Sequence, residues 1–243
     1  MNCKSNIFFF LLLFAVLGAK AQIADKNVYL NDVKQELQKR WPHNRIINLV
    51  FHGHSVPAGY FVTPDIRTLQ AYPHLTLQAV KEFYPYAVVN SITTAIGGEG
   101  SVKGCERFVK DVLTHHPDVL FIDYGLNDRW TNMEQAREAW ETMIQEALKR
   151  QIKVILMTPT PDLIEDILNP DAPLEKQSQQ IRDLAAQYQT GLVDSYAAFK
   201  ELVQNGGDMN MYMSQVNHPN EKGHQIVGDL IAQWLQNPGF RKN

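Results

Sequence analysis

Two kinds of apolar pattern alternate along the chain. Continuous apolar runs at 46–52, 87–90, 117–124, 152–157 and 191–194 read as short buried strands. A strand covered on both faces needs no polar alternation, so such runs suit a parallel sheet. Between them lie longer polar segments whose apolar residues fall at helical spacing. Segment 25–39 carries Val28, Leu30, Val33 and Leu37, and 68–84 carries Leu69, Tyr72, Leu75, Val80 and Phe83. Segment 134–150 sets Ala136, Ala139, Trp140, Met143, Ile144 and Leu148 on one face, and 102–114, 174–188 and 221–235 read the same way.

The breaks between these segments have local causes. Trp41 precedes Pro42, and a residue before proline avoids the α region, which ends the first helix. Pro73 sits near the start of the second, where a missing N–H costs little. Gly97-Gly98-Glu99-Gly100-Ser101 is a glycine-rich turn that opens the third. Strands that alternate with helices predict right-handed βαβ units, hence an α/β fold with a five-stranded parallel sheet and helices on both faces. No repeat, low-complexity tract or linker interrupts the pattern, so residues 22–243 read as one domain.

The first residues fall outside that pattern. Lys4 precedes an uncharged apolar run from Ile7 to Leu17, and Ala19-Lys20-Ala21 offers a small-residue cleavage site. This predicts a signal peptide over 1–21 and an exported protein, periplasmic or extracellular. The run is short for a bilayer span, and no later segment is apolar enough to provide one. Cleavage would remove two lysines from a chain of formal charge −3, leaving −5 with histidine neutral. With no basic stretch, nucleic acid is excluded as an expected partner. Cys3 precedes the apolar run, and Cys105 alone remains after cleavage, so no internal disulfide is available and stability must come from a packed core.

In a parallel sheet the loops at the strand carboxyl ends share one crevice, and this is where the candidate chemistry falls. Ser55 follows the first strand, Gly97 and Gly98 the second, and Asn127 the third, while His218 precedes the last helix. These types suit acyl transfer. A serine hydroxyl needs a base to become nucleophilic, and a glycine N–H together with an Asn amide can hold an oxyanion. His52-Gly53-His54 also has the spacing of a metal pair, but five strands do not build the eight-stranded barrel on which such a site would rest.

The same stretches, in order, resemble the SGNH hydrolases, the GDSL lipase/esterase family. Gly53-His54-Ser55 stands at the family's Gly-Asp-Ser block, Gly98 at its second-block glycine, and Gly125-Leu126-Asn127-Asp128 is an intact third block. Asn217-His218-Pro219-Asn220, followed by Gly223-His224, stands at the fifth. The resemblance covers nearly all of the chain after the signal. It implies a three-layer α/β/α sandwich with a flavodoxin-like sheet, and an esterase with no metal or organic cofactor. It also implies roles: Ser55 as nucleophile, His218 as general base and then acid, and Ser55, Gly98 and Asn127 as the oxyanion hole.

Two departures stand out. His54 replaces the Asp beside the nucleophile, and Gln215 stands where the triad acid is expected. Gln215 or a backbone carbonyl could orient the histidine of a Ser–His dyad, Asp208 could supply a relocated carboxylate, or activity could be lost. Tyr60, Arg129 and Trp130 are further candidates to bind substrate, Trp130 by stacking on a sugar ring, although packing explains each equally well. The expected substrate is an O-acetyl group on a carbohydrate, with a lipid or lysophospholipid ester, or an inactive carbohydrate-binding protein, as alternatives. The sequence leaves the oligomeric state open.

Overall fold

The computed structural model describes residues 21–237. The expected signal peptide lies, but for Ala21, outside them. Five strands form one all-parallel sheet in the order β2-β1-β3-β4-β5: β1 Ile46–Gly53, β2 Val88–Thr93, β3 Val119–Asp123, β4 Lys153–Met157 and β5 Gly191–Val193. That is the flavodoxin-like order, with its switch point between β1 and β3.

Alternation along the strands builds two cores. Leu49, Phe51, Val119, Phe121, Ile155 and Met157 face one side. There they meet α1 (Asn31–Gln38), α3 (Tyr72–Phe83), α8 (Ser195–Gln204) and α9 (Glu221–Leu235). Val50, Leu120, Ile122, Val154 and Leu156 face the other side and meet α4 (Ser101–Asp111), α6 (Met133–Leu148) and α7 (Pro173–Tyr188). The result is the three-layer α/β/α sandwich expected from sequence. Phe51 and Phe121, paired in register across β1 and β3, stack with ring centroids 4.5 Å apart.

The differences from the sequence reading are local. β2 runs on to Thr93 through Asn90, Ser91 and Thr93, polar residues that an edge strand tolerates because one side of it is uncovered. Helix α1 starts at Asn31 rather than near 25, after a hydrogen-bonded turn from Asp25. The helix α8 was not read from sequence. Two short helices, α2 (Ser55–Ala58) and α5 (Gly125–Asp128), stand directly after β1 and β3. A small antiparallel hairpin, β6 (Met213–Gln215) with β7 (His218–Pro219), leads into α9.

Candidate active site

Ser55 is the first residue of α2. The turn into it is tight: a Cβ on Gly53 would lie 2.4 Å from the Asp123 carbonyl, so only glycine fits. His218 is delivered from across the chain by the β6–β7 hairpin. Asn220 fixes that hairpin to α9, since its side-chain oxygen caps Lys222 and Gly223 while its nitrogen donates to Met211 O and Met213 O. The outcome is a hydrogen bond of 2.9 Å between Ser55 Oγ and His218 Nε2.

On the far side of the imidazole, His218 Nδ1 lies 2.9 Å from the Phe61 carbonyl oxygen and 2.8 Å from Gln215 Nε2. A carbonyl can only accept, so the Nδ1 proton points to Phe61 O, and Nε2 presents its lone pair to the Ser55 hydroxyl. The Gln215 oxygen is occupied elsewhere, accepting the Thr63 N–H at 3.0 Å. The Phe61 carbonyl thus takes the Nδ1 proton, and the Gln215 amide stands within hydrogen-bond distance of the same ring nitrogen. Asp208 is not brought to His218. It is exposed and caps the 3₁₀ turn Met209–Tyr212 by accepting from Asn210, contacts that hold its carboxyl below the ordinary value. Burial pushes His218 below the usual histidine range. The Phe61 carbonyl and Asp162 pull it back up, while His54 pushes it further down.

Opposite the histidine, the other two loops converge. Gly98 has φ of +77°, with open space where a Cβ would stand, so backbone conformation rather than crowding calls for glycine. Asn127 Nδ2 donates one hydrogen to Glu99 O at 2.9 Å, leaving its second free for a ligand. The Glu99 carboxylate, buried, is gripped by Arg107 and by the Tyr124 hydroxyl at 3.0 Å. Tyr124 lies 3.1 Å from His52 Nε2, and that ring also meets Thr94 Oγ1 and Gly104 O. Burial, reinforced by Arg107, lowers His52 to about 4. Asp128 accepts from Ser101 N–H at 2.8 Å and Trp140 Nε1–H at 2.7 Å, which ties α4 and α6 to the Asn127 loop.

His54 and His52 belong to separate networks. His54 Nδ1 accepts the Val56 N–H, and Nε2 faces Asp123 Oδ1 at 3.3 Å. Asp123 Oδ2 accepts the Tyr72 hydroxyl at 2.9 Å. The substitution at the Asp position of the first block is thus matched by a buried carboxylate on β3.

The substrate-binding candidates divide. Tyr60 stands between the two arms, with its ring centroid 6.0 Å from that of His218 and its ring atoms against Gly97. Arg129 is buried and bound to Asp162 at 2.5 Å and Glu165 at 3.2 Å, so it is committed to those carboxylates. Its guanidinium lies 4.9 Å from the centroid of Trp130, whose side is open to solvent (72% exposed). Sequence reasoning left Glu99 and Asp162 unassigned, and did not foresee the main-chain contact of Phe61 or the approach of Asp123 to His54. Phe61 acts through its main chain, which no side-chain pattern reveals. A lone acid among glycines, Glu99, was the one signal that might have been read.

A Ser55–His218 contact, flanked by the loops after β2 and β3 at the switch point of a parallel sheet, defines the class: a flavodoxin-like α/β/α sandwich with a polar crevice at its strand carboxyl ends. A model of the GDSL-like lipase/acylhydrolase family matches residues 51–226, and the chain belongs to that family, a group of SGNH-type carboxylic ester hydrolases. Solved structures agree in fold. A two-domain esterase active on acetylated mannans shares 21% identity at a TM-score of 0.71, over 88% of this chain and 54% of that one, so this chain spans about half its length. Axe2, an acetylxylan esterase from Geobacillus stearothermophilus, shares 22% identity at a TM-score of 0.67, over 80% of this chain and 95% of that one. Among curated proteins, a search returned no match.

Proposed function

We propose that the protein is an exported serine esterase that removes O-acetyl groups from a carbohydrate by a Ser55–His218 mechanism. The observation that carries this reading is the 2.9 Å contact of Ser55 Oγ with His218 Nε2, with Nδ1 held by Phe61 O at 2.9 Å. That arrangement fixes the tautomer a base requires without a carboxylate. Ser55 Oγ attacks the acyl carbon as its proton passes to His218 Nε2. The oxyanion takes the N–H groups of Ser55 and Gly98 and the free hydrogen of Asn127 Nδ2. Collapse breaks the C–O bond, and the leaving alkoxide takes the proton from His218. Water, deprotonated by His218, then attacks acetyl-Ser55, giving acetate and free enzyme.

The carbohydrate assignment is supported by the exposed Trp130 platform beside Asn127 and by the acetylated polysaccharides on which the two structural relatives act. Export is supported by the apolar N-terminal run. A lipid ester remains the second reading, favoured by exposed Val62, Ile96, Leu163 and Ile164 on the loops after β1, β2 and β4.

The test is turnover of p-nitrophenyl acetate by mature protein beside Ser55→Ala, with fluorophosphonate labelling of both, followed by a p-nitrophenyl acyl-length series and acetate release from acetylated xylan and mannan. Expected is labelling and turnover that fall at least about 10⁴-fold in the variant, with acetate preferred over octanoate. Preference for octanoate would transfer the protein to the lipid reading. A folded wild type with neither turnover nor labelling would leave a carbohydrate-binding protein.

A further inference from the structure

The nucleophile lies on a single turn of helix, α2, which is too short to sustain itself and depends on the groups at its start. We propose that Asp123 and His54 form a buried carboxylate–imidazole pair that positions this turn: Asp123 fixes the tautomer of His54, and His54 Nδ1 then holds the Val56 N–H and with it the direction of Ser55. The proposal deepens the Ser55–His218 reading above and rests on it.

β1 and β3 bring the pair together. Gly53 lies opposite Asp123 in the register of the two strands, and its missing Cβ lets the chains close at that point. The next residue, His54, is wholly buried, and so is nearly all of Asp123. His54 Nδ1 accepts the Val56 N–H at 3.2 Å, and Nε2 faces Asp123 Oδ1 at 3.3 Å. Neither Nε2 nor Oδ1 has a hydrogen-bond partner elsewhere among the described residues. Two buried polar atoms so placed are each other's partner, since the alternative leaves both unsatisfied and out of reach of water. The second carboxylate oxygen, Oδ2, accepts the Tyr72 hydroxyl of α3 at 2.9 Å. Asp128, the next carboxylate along the chain, spends its oxygens on Ser101 N–H and Trp140 Nε1–H, so Asp123 is the acid open to His54.

Both ends of the His54 ring demand the same tautomer. A neutral imidazole has one N–H and one lone pair. The Val56 N–H can only donate, so Nδ1 carries the lone pair and Nε2 the hydrogen, which points at the Asp123 carboxylate. The other tautomer would set two hydrogens face to face at Val56 and two lone pairs face to face at Asp123. Ser55 lies between the capping residue and the capped one, so the turn that His54 holds is the turn that aims Ser55 Oγ at His218 Nε2, 2.9 Å away. The carboxylate–imidazole contact that His218 lacks thus stands one residue before the nucleophile. His54 and Asp123 are positioning residues, acting through the turn and not on the reacting atoms. The pairing also makes position 54 specific. An Asp there could cap Val56 directly, but it would add a second carboxylate beside Asp123, where burial leaves the repulsion poorly screened.

The test compares wild type with His54→Asp, Asp123→Asn and the double variant, by kcat and KM on p-nitrophenyl acetate. The His54 ring nitrogens are read by nitrogen NMR in histidine-labelled wild type. Expected are the Nε2–H tautomer in wild type, a fall in kcat of about tenfold or more in His54→Asp with KM little changed, and recovery in the double variant to within about threefold of Asp123→Asn. His54→Asp as active as wild type, a double variant no better than His54→Asp, or a proton on Nδ1 overturns the proposal. If His54→Asp does not fold, His54→Asn and His54→Leu decide. The amide oxygen can still accept the Val56 N–H, so the Asn variant should keep a kcat about tenfold above the Leu variant, and equal values overturn the proposal. Ser55-dependent hydrolysis by wild type is the control. Its absence sinks the esterase reading, whereas the tautomer is read without turnover and still decides the pairing.

Discussion

The two arms of the site are built differently. The arm proposed to hold the oxyanion, after β2 and β3, is set in buried charge and hydrogen bonds: Glu99 holds Arg107, Tyr124 and, through its backbone, Asn127, while Asp128 binds Ser101 and Trp140. The histidine arm comes from a short hairpin, and its ring is directed by the Phe61 carbonyl with a half-buried amide alongside. Rigid donors are needed where an oxyanion appears, because preorganisation is their contribution. The histidine needs only its tautomer fixed at Nδ1, and one neutral acceptor does that. On the proposed mechanism, a tautomer fixed by a neutral acceptor together with rigid oxyanion donors would let the site work without a triad acid.

Three measurements would break or sharpen this contrast. The largest effect is expected in the oxyanion arm: Asn127→Ala should lower kcat on p-nitrophenyl acetate by about 10²–10³-fold with KM little changed. A loss below tenfold would mean that Asn127 does not donate to the transition state.

Acid titration should come next. His52, behind the oxyanion arm, is held to about 4 and His224, behind Phe61, to about 3. Both are buried neutral, with folded values below the unfolded one near 6.5. Their contribution to stability is complete above pH 6.5 and is lost as pH falls from there towards 4 and 3, roughly 3 kcal/mol or more for each over its full window. Urea unfolding at stepped pH should show this decline, and His224→Gln should remove part of the slope. A flat profile between pH 6.5 and 4.5 would mean that neither ring is held neutral.

The smallest effect belongs to the residue that sequence comparison makes most conspicuous. Gln215→Ala should reduce kcat less than tenfold, since Phe61 O keeps the Nδ1 proton in place, and the alanine variant should retain the same acidic limb. A loss approaching 10⁴-fold, the magnitude seen when a triad histidine is set in the wrong tautomer, would return the orienting role to the Gln215 amide.

Much of the architecture was legible because it depends on local pattern. Continuous apolar runs and helical periodicity marked the five strands and most helices, and the order of Ser55, Gly98, Asn127 and His218 at strand ends placed them on one edge. The helix α8 was legible but passed over: Asp194 caps it, and Tyr196, Phe199, Leu202 and Val203 recur at helical spacing, with Tyr196 and Phe199 buried in the core. Asp208 was a reasonable candidate to orient the histidine, but the folded chain commits it to capping at Asn210, whereas Gln215 does stand at His218 Nδ1, beside the Phe61 carbonyl.

The sequence by itself determined the sheet, the family and the candidate groups at the strand ends, since these follow from residue type and spacing. Only the tertiary structure decided what stands behind them. Phe61 contributes a main-chain carbonyl, which every residue possesses. His54 finds Asp123, Asn127 finds Glu99 O, and Asp162 shares Arg129 with Glu165, through contacts between separate loops. Such partners are fixed by the packing of helices on two faces of one sheet, and no local pattern in the chain records them.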